Sequence, residues 1–184
     1  LHLCNKNMEK IATSMTKHDL LAEVCLAAKY EGASITLHYP QYQQKYGITD
    51  STICTMLARS FADIGDIVRG RDLYGGNKKK ERLEDNLKKI FGKIYKDVMK
   101  TSRKKSALKA RYDGDTGNYF QLREDWWNNN RIMVWHAITC GAGGSQYFRP
   151  TCGSGEKGNA TTGKCRCPSY KVPTYFDYVP QYLR

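Results

Sequence analysis

Four segments of the chain carry apolar residues three or four positions apart, the spacing that places them on one face of an α-helix. The most regular segment has its apolar positions at Leu83, Leu87, Ile90, Ile94 and Val98. Its remaining positions are rich in lysine, so the pattern predicts an amphipathic helix from about residue 80 to residue 100. Such a helix packs one face against a core and exposes the other to water.

The segment before it predicts another amphipathic helix, with recognisable ends. Asp50 or Ser51 is expected to cap its amino end, and Gly70 is expected to stop it. Its apolar face consists of Ile53, Leu57, Phe61, Ile64 and Val68. Together the two segments predict a pair of helices with complementary apolar faces.

The first and last helical segments are predicted from their ends and their spacing. Thr16 with Asp19 forms a capping-box-like start, and Pro40 is expected to kink or end the helix that follows. Its apolar positions are Leu20, Val24, Ala27 or Ala28, and Ile35. The last helix is expected to begin near Tyr119 and end at Cys140. Its apolar face carries Leu122, Trp126, Met133 and Ala137, with Trp127, Ile132 and Trp135 beside them.

The pattern as a whole predicts an all-α protein. Two-residue alternation of apolar and polar positions is almost absent, so no sheet of any size is expected. Loops are expected at residues 74–77, 113–118 and 141–162, where glycine and short polar residues collect. The predicted fold is a helical bundle with antiparallel packing, with a long loop containing glycine and cysteine near the carboxyl end.

The cysteines add disulfide bonds to this picture. The chain has seven cysteines in 184 residues, and Cys165-x-Cys167 has neither a second close pair nor a nearby histidine to complete a zinc site. Disulfides in an oxidising compartment are therefore favoured, and no metal is expected. An odd count, together with the absence of an initiator methionine, suggests a piece of a longer protein in which one cysteine pairs elsewhere. Cys152 lies in the same predicted loop as Cys165 and Cys167, and the sequence does not assign a partner to Cys54.

Charge is concentrated in one part of the chain. The formal net charge is +12, and residues 71–111 hold fifteen Lys or Arg against five Asp or Glu. One interpretation is simply a solvated helix face; the other is a track for a linear polyanion, about 30 Å long on a helix from 80 to 100. The candidate contact residues are Lys78, Lys79, Lys80, Arg82, Lys88, Lys89, Arg103, Lys104 and Lys105. Because disulfides indicate an extracellular setting, sulfated glycans are favoured over nucleic acid as the partner.

The remaining motifs give no support for catalysis. Residues 141–145 resemble a phosphate-binding loop only in their glycines, and Asp113-x-Asp115 lacks the later ligands of a calcium loop. The three tryptophans of the last helix are better explained as core than as a sugar-binding platform, because they lie at helical spacing within an apolar face. The sequence therefore predicts a protein that is not an enzyme and needs no cofactor.

Six further segments are informative as sequence motifs: LCNKN at 3–7, CLAAK at 25–29, ARSFADIGDIVRG at 58–70, LREDWW at 122–127, CRCP at 165–168 and PTYFDYVPQYLR at 173–184. Together they resemble the Duffy-binding-like adhesion domains, alpha class, of the variant erythrocyte membrane proteins of the malaria parasite Plasmodium falciparum. They extend over nearly the whole chain, so the resemblance concerns the entire sequence and not a single motif.

The resemblance implies a fold, a location and a role. It implies a disulfide between Cys25 and Cys140, and a division into the end of a first subdomain at 1–15, a helical second subdomain at 16–140 and the start of a third at 141–184. It implies display on the outer face of the infected erythrocyte, as part of a membrane-anchored protein. The implied function is adhesion in rosetting or cytoadhesion, with heparan sulfate-like glycans, blood-group sugars or glycoproteins of host erythrocytes as partners.

A second hypothesis assigns the chain a structural role. In this case it is an antigenic scaffold, recognised by antibodies, whose neighbouring domains in the same chain carry the receptor-binding sites. Nucleic acid is not expected as a partner under either hypothesis.

Overall fold

The structure, a computed structural model, describes residues 16–47, 53–72, 78–101, 105–143, 151–152 and 158–184. These residues form five helices: α1 (Lys17–Tyr46), α2 (Ile53–Arg69), α3 (Lys78–Thr101), α4 (Lys105–Arg111) and α5 (Phe120–Ile138). Two short 3-10 helices follow, at Phe176–Tyr178 and Gln181–Leu183. In these ranges there are isolated β-bridges but no strand, so the predicted all-α fold is confirmed. Much of the glycine-rich loop and the predicted cap of α2 lie outside the described residues.

Helix α1 begins as predicted but ends later. Thr16 and Asp19 form the capping box, with the Thr16 N–H donating to Asp19 Oδ2 at 2.8 Å and the Asp19 N–H donating to Thr16 Oγ1 at 3.3 Å. Of the two alternatives expected at Pro40, the end of the helix was wrong, because the helix continues to Tyr46 and is closed by Gly47, whose φ is 62°. Pro40 is exposed, so the carbonyl that loses its helical partner there can be hydrated.

The core consists mostly of the apolar faces predicted for the helices, but the face predicted for α5 was wrong at Met133, which is 54% exposed, while Val134 and Ile138 are buried. Trp127 and Trp135 have no exposed surface, and the ring of Phe61 packs between them at centroid distances of 5.1 and 5.2 Å. Trp126 is also buried, against Phe91 of α3. The interpretation of the tryptophans as core is therefore confirmed, and they are not available as a sugar-binding platform.

Helix α5 packs against both α1 and α2, but in different directions. Gly65 of α2 faces Trp127 and Gly70 faces Arg123, so α2 and α5 are antiparallel as predicted. On α1, however, Gly32 lies against the Ile138 backbone, and Thr36 lies near Gly141. These contacts advance together along both segments, so α1 and α5 run in the same direction where they cross, unlike the antiparallel arrangement predicted for the bundle.

Two disulfides hold the carboxyl-terminal segment, one connecting it to α2 and the other closing a loop within it. Cys54 of α2 is bonded to Cys165, which lies 111 residues later, and Cys152 is bonded to Cys167. The partner of Cys54, which the sequence left open, is thus assigned. Cys4 lies outside the described residues.

The disulfide predicted between Cys25 and Cys140 is absent, because both residues are free thiols. The register of α1 against α5 explains this. Cys140 follows Ile138, which is level with Gly32, and the seven helical residues from Cys25 to Gly32 rise about 10 Å. A disulfide requires Cα atoms within about 7 Å, so the two thiols cannot meet in this packing.

The carboxyl-terminal strap, defined as residues 170–184, is attached to the bundle through the carboxylate of Asp177. This side chain is fully buried and accepts hydrogen bonds from Trp127 Nε1 at 2.8 Å and from Arg131 Nε and Nη2 at 3.0 and 2.6 Å. Arg131 Nη2 also donates to the Thr174 carbonyl at 2.8 Å, and Arg69 donates to the Asp177 carbonyl. The strap therefore has no buried charge without a partner at this point.

A second ionic contact holds the end of the strap. Arg184 Nη1 lies 3.0 Å from Asp63 Oδ1 on α2, and Arg184 is also paired with Asp66. Burial raises the pKa of the Asp63 carboxyl above its usual range, and the nearby Arg184 opposes that rise. Asp66 additionally pairs with Arg69 at 3.1 Å. The proposed subdomain boundary after residue 140 stays a prediction, although the residues beyond it share this packing with α2 and α5.

Replacing Gly32 with Ala is expected to destabilise the fold. A Cβ atom at this position would lie 1.9 Å from the Ile138 carbonyl oxygen, so the two backbones would have to move apart. We expect a loss of about 1–3 kcal/mol in the free energy of unfolding, measured by urea denaturation, despite the better helix propensity of alanine. Gly92→Ala is the control, since its nearest neighbour at 3.1 Å is the end of the Tyr119 side chain. Equal stability of the two variants would contradict the close approach.

The two free thiols are expected to react with iodoacetamide without prior reduction, Cys140 before Cys25. Cys140 is exposed, whereas burial raises the pKa of the Cys25 thiol and leaves less thiolate at a given pH. Alkylation followed by peptide mapping should give a rate about tenfold higher for Cys140 at pH 7.5. The Cys25 rate should still be rising between pH 8 and pH 9. Recovery of a disulfide-linked peptide containing Cys25 and Cys140 would contradict this pairing scheme.

Replacing Asp177 with Asn should release the strap. The substitution leaves the buried Arg131 without its carboxylate, and removal of one partner of a buried pair costs about 3–5 kcal/mol. Urea denaturation at pH 7 is the measurement, and Asp85→Asn is the matched control because Asp85 is exposed and should change stability by less than about 0.5 kcal/mol. A similar small change for both variants would show that the Asp177 contacts do not hold the strap.

Candidate functional site

Helix α3 presents a row of cations to solvent along its whole length. The residues are all exposed and form what we call the α3 basic stripe: Lys78, Arg82, Lys89, Lys93, Lys96 and Lys100. At 3.6 residues per turn they fall within about 60° of arc, opposite the buried face that carries Leu87 and Ile90. From Lys78 to Lys100 the stripe is about 33 Å long.

The spacing of the stripe determines its electrostatic character. Successive cations are three, four or seven residues apart, which corresponds to about 5–10 Å along the helix axis. This is close to the Debye length of about 8 Å at physiological salt, so the fields of neighbouring cations overlap. The widest gap lies between Arg82 and Lys89 and contains the exposed carboxylate of Asp85. The stripe is therefore a near-continuous positive track that is interrupted at Asp85 and bordered by the exposed carboxylate of Asp97, one turn from Lys93.

Two of the predicted contact residues do not belong to this stripe. Lys80 turns toward the end of α2 and lies 3.0 Å from Asp72 Oδ2, while Lys88 lies 4.0 Å from Glu84 Oε1. Both side chains are about one-third exposed. Their positions on the helix face a neighbouring cleft, so they are separated from the outward row.

The other predicted residues divide in the same way. Lys78, Arg82 and Lys89 lie on the stripe, and the backbone of Lys79 and of Lys105 belongs to α3 and α4. Arg103 and Lys104 lie outside the described residues. The stripe is completed by Lys93, Lys96 and Lys100, which the sequence analysis did not include among the contact residues. Their spacing of three or four residues from Lys89 onward places them on the same helix face, and this spacing could have identified them.

The structure offers no obvious place for a metal ion among the residues it describes. These residues contain no group of three or more His, Cys, Asp or Glu side chains arranged to bind a metal. Asp115, one of the two aspartates considered for a calcium loop, instead caps α5 by accepting the Leu122 N–H at 2.9 Å and the Gln121 N–H at 3.2 Å. The chemistry available at the stripe is therefore ionic and hydrogen-bonded contact through cations.

The described helices include none with the combination of length and apolar character that a transmembrane helix requires. Helix α3 carries charged residues throughout its length, and α1 carries them in its first half and at its end.

Comparison with solved structures finds close similarity to adhesion proteins of Plasmodium falciparum. The chain is 43% identical to the NTS-DBL1(alpha-1) domain of membrane protein 1 (PfEMP1) from the varO strain, with a TM-score of 0.78 over 99% of this chain and 40% of that one. The double domain of NTS-DBL1-alpha and CIDR-gamma from the same strain matches at 43% identity and a TM-score of 0.79, covering 99% of this chain and 25% of that one.

A more distant similarity joins the chain to a second class of these domains. The ICAM-1-binding PfEMP1 IT4var13 DBLbeta domain is 32% identical, with a TM-score of 0.66 over all of this chain and 39% of that one. The chain thus spans about two fifths of the length of the single-domain structures it matches. The comparison with curated proteins gave no match.

The family model described as the Duffy binding domain matches residues 1–184, the full length of the sequence. The identity is higher with the alpha-class structures than with the beta-class structure, in agreement with the resemblance noted from the sequence segments. The chain therefore belongs to the Duffy binding domain family.

Proposed function

We propose that this chain is part of an adhesion module of a malaria-parasite variant surface antigen, and that the α3 basic stripe binds linear sulfated glycans of the host erythrocyte. The observation that carries the proposal is the alignment of six exposed cations over about 33 Å on one helix face. Binding would release counterions from the glycan, and it would depend on charge spacing more than on sugar sequence.

The proposed location is the outer face of the infected erythrocyte, within a longer membrane-anchored protein. Two disulfides fit an oxidising, extracellular environment, and the similar PfEMP1 structures are described as domains of a membrane protein. The proposed role is binding and not catalysis. We retain the division into subdomains at residues 15 and 140 as part of this proposal.

The second candidate is a scaffold whose neighbouring domains bind the receptor, leaving this surface to antibodies. The observation in its favour is the limited coverage: the matched structures are more than twice as long as this chain. One of them is described as ICAM-1-binding. A protein receptor that binds outside the stripe is therefore an alternative to a glycan as the partner of this chain.

The stripe is tested by charge reversal at its densest part, Lys89→Glu, Lys93→Glu and Lys96→Glu in one variant. Heparin affinity measured at several salt concentrations should fall about tenfold or more at physiological salt. The slope of log K against log salt concentration should become less negative by about two to three, because three cationic contacts are lost. Retained secondary structure in circular dichroism spectra would show that the exposed substitutions leave the fold intact.

The matched control carries the same charge change on another helix: Lys17→Glu, Lys29→Glu and Lys45→Glu, all exposed on α1. If both triple variants lose affinity equally, net charge and not the stripe governs binding. Erythrocyte binding without heparin affinity would indicate that the ligand is a protein receptor or a neutral sugar and not a sulfated glycan. The absence of both activities in the wild type would favour the scaffold.

A further inference from the structure

A cleft lies beside the stripe, on a different face of α3. It is bounded by the end of α2, the first half of α3 and the start of α5, and has a volume of about 320 Å³. This is near the lower end of the range of about 300–1,000 Å³ for ligand pockets, enough for one large side chain with adjoining backbone. Its floor is apolar, formed by Ile67, Leu83 and Leu87, while the ring of Phe120 at its edge is 50% exposed.

The charged groups of the cleft are only partly matched to one another. Asp72 is paired with Lys80 at 3.0 Å, and Glu84 forms a bidentate pair with the fully buried Arg123 at 2.7 and 2.8 Å. Glu81 is exposed and forms no ion pair with any residue whose side chain the structure describes. Lys88 lies 4.0 Å from Glu84, at the limit of an ion pair. The charges available to a ligand are therefore Glu81 and Lys88.

These two residues lie at opposite ends of the cleft. They are seven residues apart on α3, which is nearly two full turns, so their side chains leave the same side of the helix about 10 Å from each other. Ile67 and Phe120 provide the accessible apolar surface of the same cleft, whereas Leu83 and Leu87 beneath it are buried. The cleft thus presents an anion, an apolar surface and a cation together.

A polyanion is a poor match for this arrangement. Three carboxylates, those of Asp72, Glu81 and Glu84, line the cleft and would repel sulfate groups. The complementary ligand instead has an apolar side chain with a basic group on one side and an acidic group on the other. An extended peptide provides this pattern: three residues span about 10 Å, an apolar and an acidic residue two positions apart point to the same face, and the long basic side chain before them can turn to that face.

We propose that the cleft is a docking site for a protein segment in which a large apolar residue is flanked by a basic and an acidic residue. The apolar side chain enters over Ile67 and against Phe120, the basic residue pairs with Glu81 and the acidic residue pairs with Lys88. The site is independent of the glycan stripe, and its partner belongs to a different class of macromolecule.

The test uses a defined probe, the peptide acetyl-Arg-(4-fluoro-Phe)-Ala-Glu-amide, titrated into the whole chain. The 19F signal of the peptide gives the affinity, and chemical-shift mapping of the 15N-labelled protein locates the contact. We expect saturable binding with a dissociation constant in about the millimolar range, with shifts in the first half of α3 and at Phe120. No saturable binding, or shifts confined to another surface, would overturn the proposal.

Variants of the cleft separate charge matching from simple adsorption. Glu81→Lys and Lys88→Glu are each expected to weaken binding about fivefold, since each replaces an ion pair with a repulsion. The double variant Glu81→Lys with Lys88→Glu should restore the affinity, because the peptide can then bind in the opposite direction. Phe120→Ala should also weaken binding about fivefold, with thermal unfolding measured to confirm that the variant is folded.

The matched control exchanges one acidic and one basic residue elsewhere, Asp113→Lys with Lys109→Glu, both exposed near α4. It should bind the probe as the wild type does. Failure of the double cleft variant to recover affinity would contradict the charge alignment. Equal binding of an all-acidic peptide, acetyl-Glu-(4-fluoro-Phe)-Ala-Glu-amide, would identify the contact as the polyanion stripe and reject a protein-segment site.

Discussion

The buried carboxylate of Asp177 is the interaction on which the carboxyl-terminal part of the structure depends. Burying an unpaired carboxylate would cost several kcal/mol, so Asp177 can lie in the interior only where hydrogen-bond donors are positioned to pair with it. Arg131 and Trp127, one turn apart on α5, provide those donors, and both belong to the same core that Phe61 and Trp135 complete. The strap, the aromatic core and the orientation of α5 are consequently determined together.

The amphipathic faces of the long helices were predictable from the sequence, because periodicity within one helix is a local property. The Thr16 capping box and the Gly70 stop were predictable for the same reason. The partner of Cys54 and the separation of Cys25 from Cys140 were not, since both depend on the register between helices that are far apart in the chain. The separation of Lys80 and Lys88 from the stripe could not be predicted, because their ion pairs with Asp72 and Glu84 depend on three-dimensional contacts that a count of charges does not register.

The two candidate binding surfaces share helix α3 but differ in their physics. The stripe is exposed, predominantly positive and expected to bind in a salt-sensitive way, whereas the cleft is partly enclosed, apolar at its floor and nearly balanced in charge. Leu83 and Leu87 support both, because the same buried face fixes the rotation of α3 about its axis. A displacement of that face would change which lysines point outward and which line the cleft. The extended helix thus couples the geometry of the two surfaces without any direct contact between their ligands.

The disulfide between Cys54 and Cys165 has a mechanical consequence. Tension applied between the ends of the chain would pass from α2 through the sulfur atoms to Cys165, because the bond connects positions separated by 111 residues. The segment between them, about 390 Å long if fully extended, carries no load while the bond is intact. The whole of α3 and α5 lies in that shielded segment, whereas the strap remains in the loaded path. Under such tension α1 and the strap are the described elements that carry load, and the surfaces of α3 would keep their shape while the bond is intact.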